Sequence, residues 1–177
     1  AAMLSSRLHS GLSPDSRLAL GPVRIEGQDD HYPKDVRGNA QEKIKFTIRA
    51  EKCPNRRGVE AVLQHFQGSI ITIGDILGDA AEGRIDTLYF VGGDPRGGLD
   101  DSHAGALAKV KTLIVQDILP SPVSARAHIV LAGGSFAERE GTFVKHAGLA
   151  QAIKRSIRSP DDARPDGRIL WDLSGRK

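Results

Sequence analysis

Two short stretches carry side chains suited to holding an anion or a nucleotide. The first is Gly92-Gly93-Asp94-Pro95. Its paired glycines would let backbone amides approach a phosphate without Cβ obstruction. A strand-ending turn would use the same Gly, Asp and Pro. The second is Gln116-Asp117 with Ser121. A carboxylate there could accept hydrogen bonds from a purine edge or from ribose hydroxyls, or it could cap the following turn. Glu138-Arg139-Glu140-Gly141-Thr142-Phe143 pairs two carboxylates, as acid–base chemistry needs. No His or metal ligand stands near them at a recognised spacing, so a network holding an irregular loop is expected. Cys53 precedes Pro54, Arg56 and Arg57. Nearby cations could make it reactive, but no partner motif accompanies it, and a buried structural thiol is expected. His9, His31, His65, His103, His128 and His146 never fall at metal-ligand spacing with a second ligand. No metal site and no catalytic residue is assigned. There is no Walker-type phosphate loop, zinc-binding helix motif or nucleophile elbow.

The elements that must position the two stretches read as alternating strands and helices. Ile85 to Val91 (IDTLYFV) is almost continuously apolar, as expected for a strand covered on both faces. A short helix fits His103 to Lys109, the next strand Thr112 to Gln116, and a helical turn Ser121 to Arg126. His128 to Leu131 is the third strand. This order implies right-handed crossovers and a parallel sheet. Ligands of such sheets bind beyond the carboxyl ends of the strands, where both stretches lie.

Upstream, Met3, Leu4, Leu8 and Leu12 have helical spacing, and Arg17 to Gly21 reads as a short buried strand. Phe46 to Ala50 alternates as a strand. Val59, Val62, Leu63 and Phe66 form the stripe of a core-facing helix closed by Gly68. Ser69 to Ile73 is apolar and β-branched, and a helix fits Asp75 to Glu82. Residues 22–45 are polar and aperiodic, which predicts an extended loop or arm lying on another surface. Residues 133–177 read as an irregular C-terminal segment. Within it Glu138 to Gln151 is expected as loop, and Gly167 to Leu173 as a short helix or strand around Trp171. The expected whole is a single α/β domain over 1–177: a Rossmann-like open parallel sheet with flanking helices, plus irregular loop regions.

Composition narrows the function classes. With 39% hydrophobic and 27% charged residues the chain suits a globular domain with a real core. A formal charge of +3, with both signs mixed along most of the chain, argues against nucleic-acid binding. Between Gly141 and Pro160, however, stand Lys145, Lys154, Arg155 and Arg158 with no acid, which is either a contact surface or a solvated face. One cysteine can form no internal disulfide and cannot hold an iron–sulfur cluster, which takes about four ligands. A reducing, cytoplasmic setting is expected. No apolar run is long enough for direct membrane insertion. The sequence begins within an apparent helix, which suggests a piece of a longer subunit.

Two blocks carry a family resemblance. One is Phe46 to Glu60, FTIRAEKCPNRRGVE; the other is Thr112 to Gln151, TLIVQDILPSPVSARAHIVLAGGSFAEREGTFVKHAGLAQ. They resemble the molybdopterin oxidoreductase superfamily, and most of all the large iron–sulfur subunit of NADH–quinone oxidoreductase, respiratory complex I. The resemblance runs from about Arg17 to Trp171. It implies a piece of that subunit's C-terminal region, with iron–sulfur clusters held only by cysteine-rich segments nearer the subunit's N-terminus. In formate dehydrogenases of the superfamily, a loop like Gly92 to Pro95 helps hold molybdopterin guanine dinucleotide. The usual Asn is Asp94 here, and an ionised Asp cannot donate to a phosphate. Where catalytic members show Asn and then Glu-Gly-Arg, this chain has Lys145 and then Ala147-Gly148-Leu149.

The resemblance therefore implies a structural module of an electron-transfer subunit, without a molybdenum cofactor and without activity alone. Its partners would be the rest of its own subunit and other subunits of the respiratory complex. Its place would be cytoplasmic, peripheral to the inner membrane through that complex. The alternative is the molybdopterin guanine dinucleotide-binding domain of an active formate dehydrogenase-like oxidoreductase, with Gly92, Gly93, Asp94, Pro95, Gln116, Asp117 and Ser121 as its contacts. A free-standing nucleotide-binding α/β protein is a third reading.

Overall fold

Three consecutive β-rich runs form the central sheet. In the computed structural model, which describes residues 11–12, 14–92, 99, 103–160 and 162–175, strands β5 (Thr87–Val91), β6 (Thr112–Asp117) and β7 (Ile129–Ala132) lie in that order, all parallel. Thr87 pairs with Thr112 and Ile114 with Ile129. Parallel pairing requires a crossover after each strand. The first carries helix α3 (Ala104–Leu107), and the second a single 3-10 turn at Ser124–Arg126. The expected α/β fold with a parallel sheet and flanking helices is what the chain adopts.

Burial on the sheet is centred on β6, whose Leu113 and Val115 are fully buried. They pack with Leu77, Phe90, Leu99, Leu107 and Val123 into one apolar cluster. Helix α2 (Ile73–Ala81) supplies Leu77, and it starts where Thr72 and Asp75 cap each other. The Thr72 hydroxyl accepts the Asp75 N–H at 3.3 Å, and the Asp75 carboxylate accepts the Thr72 N–H at 2.8 Å. This reciprocal cap satisfies two amides that a helix start leaves orphaned. The outer edge is different. Ile129 and Val130 of β7 are about half exposed, so β7 is not sandwiched as an inner strand would be.

A second layer precedes the sheet. Helix α1 (Arg56–Gln67) ends at Gly68, which takes a left-handed φ of 72° and donates to Gln64 O. Leu63 is buried, but Phe66, expected on the same stripe, is 44% exposed. Strand β1 (Ala19–Leu20) runs parallel to β4 (Ile71–Thr72). The Gln67 amide clamps the approach to β1, donating to Leu18 O at 2.7 Å and accepting the Leu18 N–H at 3.2 Å.

Two segments are more ordered than their sequence predicts. The expected arm at 22–45 contains β2 (Asp30–Tyr32), paired antiparallel with β3 (Phe46–Ile48), with Tyr32 stacked on Phe46 at 5.0 Å. The loop between them closes on Asp35, whose carboxylate accepts the Arg37 and Asn39 N–H groups, each at 2.8 Å. Strand β3 falls within the Phe46 to Ala50 strand read from alternation; its partner β2 has no apolar alternation, so periodicity misses that strand. Likewise 141–153 is not irregular loop but a hairpin, β8 (Gly141–Val144) against β9 (Ala150–Ile153). Gly167 to Leu173 lies within helix α4 (Asp166–Gly175). The expected helix around Met3 to Leu8 falls outside the described residues.

Candidate functional site

The carboxyl end of the sheet opens into a cleft of about 460 Å³. Its walls come from Gly92 after β5, Gln116 to Ile118 at the end of β6, the 134–136 turn, Arg139, Phe143 of β8, Asp166 of α4, and Pro54. The position is the one strand order predicts for a ligand. Of the expected contacts, Gly92, Gln116 and Asp117 line the cleft, whereas Gly93, Asp94 and Pro95 lie outside the described residues. Ser121 is buried but is not among the lining residues. Its hydroxyl accepts the Ser124 N–H at 3.1 Å while the Ser124 hydroxyl accepts the Ser121 N–H at 2.8 Å, a local turn closure.

Gln116 is fully buried and spends its amide inside the protein. Its Oε1 accepts the Tyr89 hydroxyl, and its Nε2 donates to Asp166 Oδ1 at 2.7 Å. The other oxygen of Asp166 is ion-paired with Arg139. Tyr89, Gln116, Asp166 and Arg139 thus form one polar chain from β5, across β6, to the first turn of α4 and the loop before β8. Burial pushes the Tyr89 phenol up to about 12, and burial lowers the Arg139 guanidinium from its ordinary value. An arginine nonetheless stays charged at any physiological pH.

Close backbone approach makes this crossing possible. The Gly133 N–H donates to Asp117 O at 2.8 Å. A Cβ on Gly133 would stand 3.1 Å from Asp166 Oδ1 and 3.5 Å from Asp117 O. Residue 164 then lies beside the end of β7 in a one-residue parallel bridge to Gly133, with Arg164 N donating to Ala132 O and Gly134 N to Arg164 O.

Asp117 is the exception to this closure. Its Oδ1 accepts the Ile118 N–H at 2.7 Å, the local capping expected of an Asp there. Its Oδ2 is buried and accepts no hydrogen bond from a described residue. A buried acceptor without a donor costs free energy and calls for an explanation. Glu138 does what was expected of the paired carboxylates. It accepts the Ser135 N–H at 3.0 Å and holds the 3-10 turn at Phe136–Glu138. Cys53 is half-buried, its Sγ accepting the Arg24 N–H at 3.2 Å. Among the described residues, no three His, Cys, Asp or Glu side chains gather as a metal site, and no helix is long and apolar enough to cross a membrane.

Two residues of the polar chain, Tyr89 and Asp166, escape sequence reasoning because their partners are distant in sequence; Arg139 lies in the 138–143 stretch where a network was expected. Asn55 escapes it too. It makes no side-chain cap on α1; its Oδ1 accepts the Val144 N–H at 2.8 Å and fixes β8. The two blocks that carry the family resemblance therefore meet in space.

Comparison with known proteins agrees. The chain is 34% identical over 97 residues to the NADPH-Fe(3+) oxidoreductase subunit alpha of Geobacter sulfurreducens, covering 54% of this chain and 12% of that protein. It is 34% identical over 106 residues to the F420-dependent formate dehydrogenase 1 subunit alpha of Methanococcus maripaludis, 59% of this chain and 16% of that one. It is 33% identical over 91 residues to an NADH-quinone oxidoreductase subunit of Rhizobium meliloti, 50% and 11%. The chain thus spans less than a fifth of the length of these relatives. The family profile of the molybdopterin oxidoreductases matches residues 68–176, which include the parallel sheet, α4 and all of the described cleft lining except Pro54. This chain belongs to the molybdopterin oxidoreductase family.

Proposed function

We propose that the chain is a scaffold module of the large electron-transfer subunit of an NADH–quinone type oxidoreductase, and that it carries out no redox step itself. One observation carries this reading. The polar side chains at the ligand end of the sheet are largely spent on one another, in the Tyr89–Gln116–Asp166–Arg139 chain. A redox enzyme's cofactor cleft keeps such groups for its ligand; a scaffold consumes them to tie α4 and the β8 loop to the sheet. Half-exposed Ile129 and Val130, Phe136 and Trp171 give apolar surface for the rest of the subunit and for its neighbours in the complex. In that complex the module would sit peripheral to the inner membrane, on the cytoplasmic side.

The family's molybdopterin guanine dinucleotide can be tested against the residues present. Asp117 lines the cleft and its Oδ2, though buried, has no hydrogen-bond partner among the described residues, so the carboxylate has an acceptor of the kind the N–H edge of a purine needs. The pyrophosphate is less well served. Arg139 is the one cation among the described lining residues, and it is paired with Asp166. The described residues therefore do not fit the whole group.

Asp117 is nonetheless the specific ground for a second reading, a formate dehydrogenase-like domain that binds the nucleotide. The discriminating experiment uses the whole subunit, expressed in a host that makes the cofactor. The scaffold reading expects only traces of molybdenum, tungsten and pterin. A stoichiometric content overturns it. The second reading expects calorimetric binding of GDP that Asp117→Ala abolishes and Asp94→Asn tightens.

A further inference from the structure

The hairpin that follows the cleft, with the segment behind it, is basic and free of acidic residues from 141 to 160. Many arginines elsewhere are paired: Arg17 and Arg84 with Asp79, Arg49 with Asp29, Arg56 with Glu51 and Glu60, Arg164 and Arg168 with Asp172. Lys145, Lys154, Arg155 and Arg158 are exposed, and none forms an ion pair with a described residue. The sequence places no acid between Gly141 and Pro160 to meet them.

The cations are interleaved with exposed apolar side chains. The N–H groups of Ser156 and Ile157 both donate to Ala137 O, at 2.8 and 3.2 Å. This lays the 154–158 segment along the turn that carries Phe136. Phe136 is 70% exposed and Ile157 55%. At the hairpin tip the Lys145 N–H donates to Leu149 O, and Leu149 is also exposed. Aromatic, aliphatic and Arg side chains together make the anchor set of a protein interface. The hairpin is also preorganised, because Asn55 holds Val144. Order paid in advance favours docking.

We propose that the β8–β9 hairpin and the 154–158 segment behind it form the docking face for an acidic polypeptide segment of a neighbouring subunit. This deepens the scaffold reading and rests on it. The partner's carboxylates would neutralise Lys154, Arg155 and Arg158, and its apolar side chains would cover Phe136 and Ile157. A polypeptide is favoured over a free anion because the patch joins charge to apolar surface. It is favoured over a lipid surface because the relatives named above are subunits of larger assemblies.

The test uses the purified complex containing the full subunit. A water-soluble carbodiimide joins carboxylates directly to lysine amines, so Lys145 or Lys154 should cross-link to an Asp or Glu of another polypeptide. The triple charge reversal K154E/R155E/R158E should weaken association of the subunit with that polypeptide at least tenfold at low salt. It should also flatten the salt dependence that the unaltered subunit shows. The neutral variant K154A/R155A/R158A should give a smaller loss in the same direction, and an unchanged melting temperature in both would show that the fold is intact. The proposal fails if both lysines acetylate as readily in the complex as in the free subunit and if the reversal assembles with unchanged affinity. It fails equally if GDP or phosphatidylglycerol vesicles, and no polypeptide, protect the lysines. Pterin content is scored separately, so loss of the scaffold reading is distinguishable from loss of this one.

Discussion

Removing Arg139 should expose how the cleft end of the sheet is held. Arg139→Met deletes the cation paired with Asp166 and leaves that carboxylate with only the Gln116 amide. Breaking a buried ion pair from one side costs about 3–5 kcal/mol. The Asp166 side chain is 12% exposed but Arg139 is 27% exposed, so water repays part of the loss. We therefore expect about 2–3 kcal/mol, or roughly a 4–12 °C fall in melting temperature at about 2–4 °C per kcal/mol for a domain of this size. The informative comparison is a double-mutant cycle. In an Asp166→Asn background the neutral amide still accepts from Gln116 and presents no charge to abandon. There Arg139→Met should cost under about 1 kcal/mol, giving a coupling well above the ~0.5 kcal/mol scatter of independent sites. Urea denaturation of the four proteins measures it. Additive losses would show that the Arg139–Asp166 pair contributes little and would remove the main support for a self-satisfied cleft.

Two further perturbations probe neighbouring parts. Burial raises the Tyr89 phenol to about 12, so the folded protein holds that proton more tightly than the unfolded chain, whose tyrosines titrate near ~10. Its contribution to stability is complete below about pH 10 and is lost as pH rises toward 12; an absorbance titration at about 295 nm should show a late phenolate step that Tyr89→Phe removes. Gly58→Ala would place a Cβ 2.4 Å from Asn55 Oδ1, the atom that accepts the Val144 N–H. The Asn55 side chain must then swing away, costing about 1 kcal/mol for a lost hydrogen bond; amide exchange should speed up at Val144 while the protection of β6 stays as it was.

The sheet was legible because local composition and topology agree. Continuous apolar runs from Ile85 and Thr112 announced strands buried on at least one face, and the helix-sized gaps between runs required crossovers. Gly68 marked a helix end by the chemistry that ends helices, whereas the Thr72–Asp75 cap that starts the next helix became visible only in the structure. What escaped were elements whose stability is not written in a period. Strand β2, unlike its partner β3, which lies within the expected Phe46 to Ala50 strand, is pinned by the Asp35 turn and a Tyr32–Phe46 stack rather than by an apolar face. The β8–β9 hairpin is anchored by one amide, Asn55, from 89 residues upstream. Asp117 could be picked out from its place at a strand end, but its two oxygens have different fates, and only the structure separates them.

That separation bears on what became of the cleft. Gly133 carries the chain across the end of β6 because a larger side chain would crowd Asp166. The crossing delivers residue 164 to the edge of β7 and the first turn of α4 to Gln116. Each contact uses a group that would otherwise face a ligand, so the order of the C-terminal segment and the capacity of the cleft are in competition. If the segment is there to close the sheet, Gln116 and Arg139 are explained by their partners, and Asp117 Oδ2 is the residue of an older acceptor. If a nucleotide still enters, Asp117 is the atom it must satisfy, because among the described lining residues it is the buried acceptor left open. The unspent oxygen of Asp117 is therefore the point on which the two readings divide.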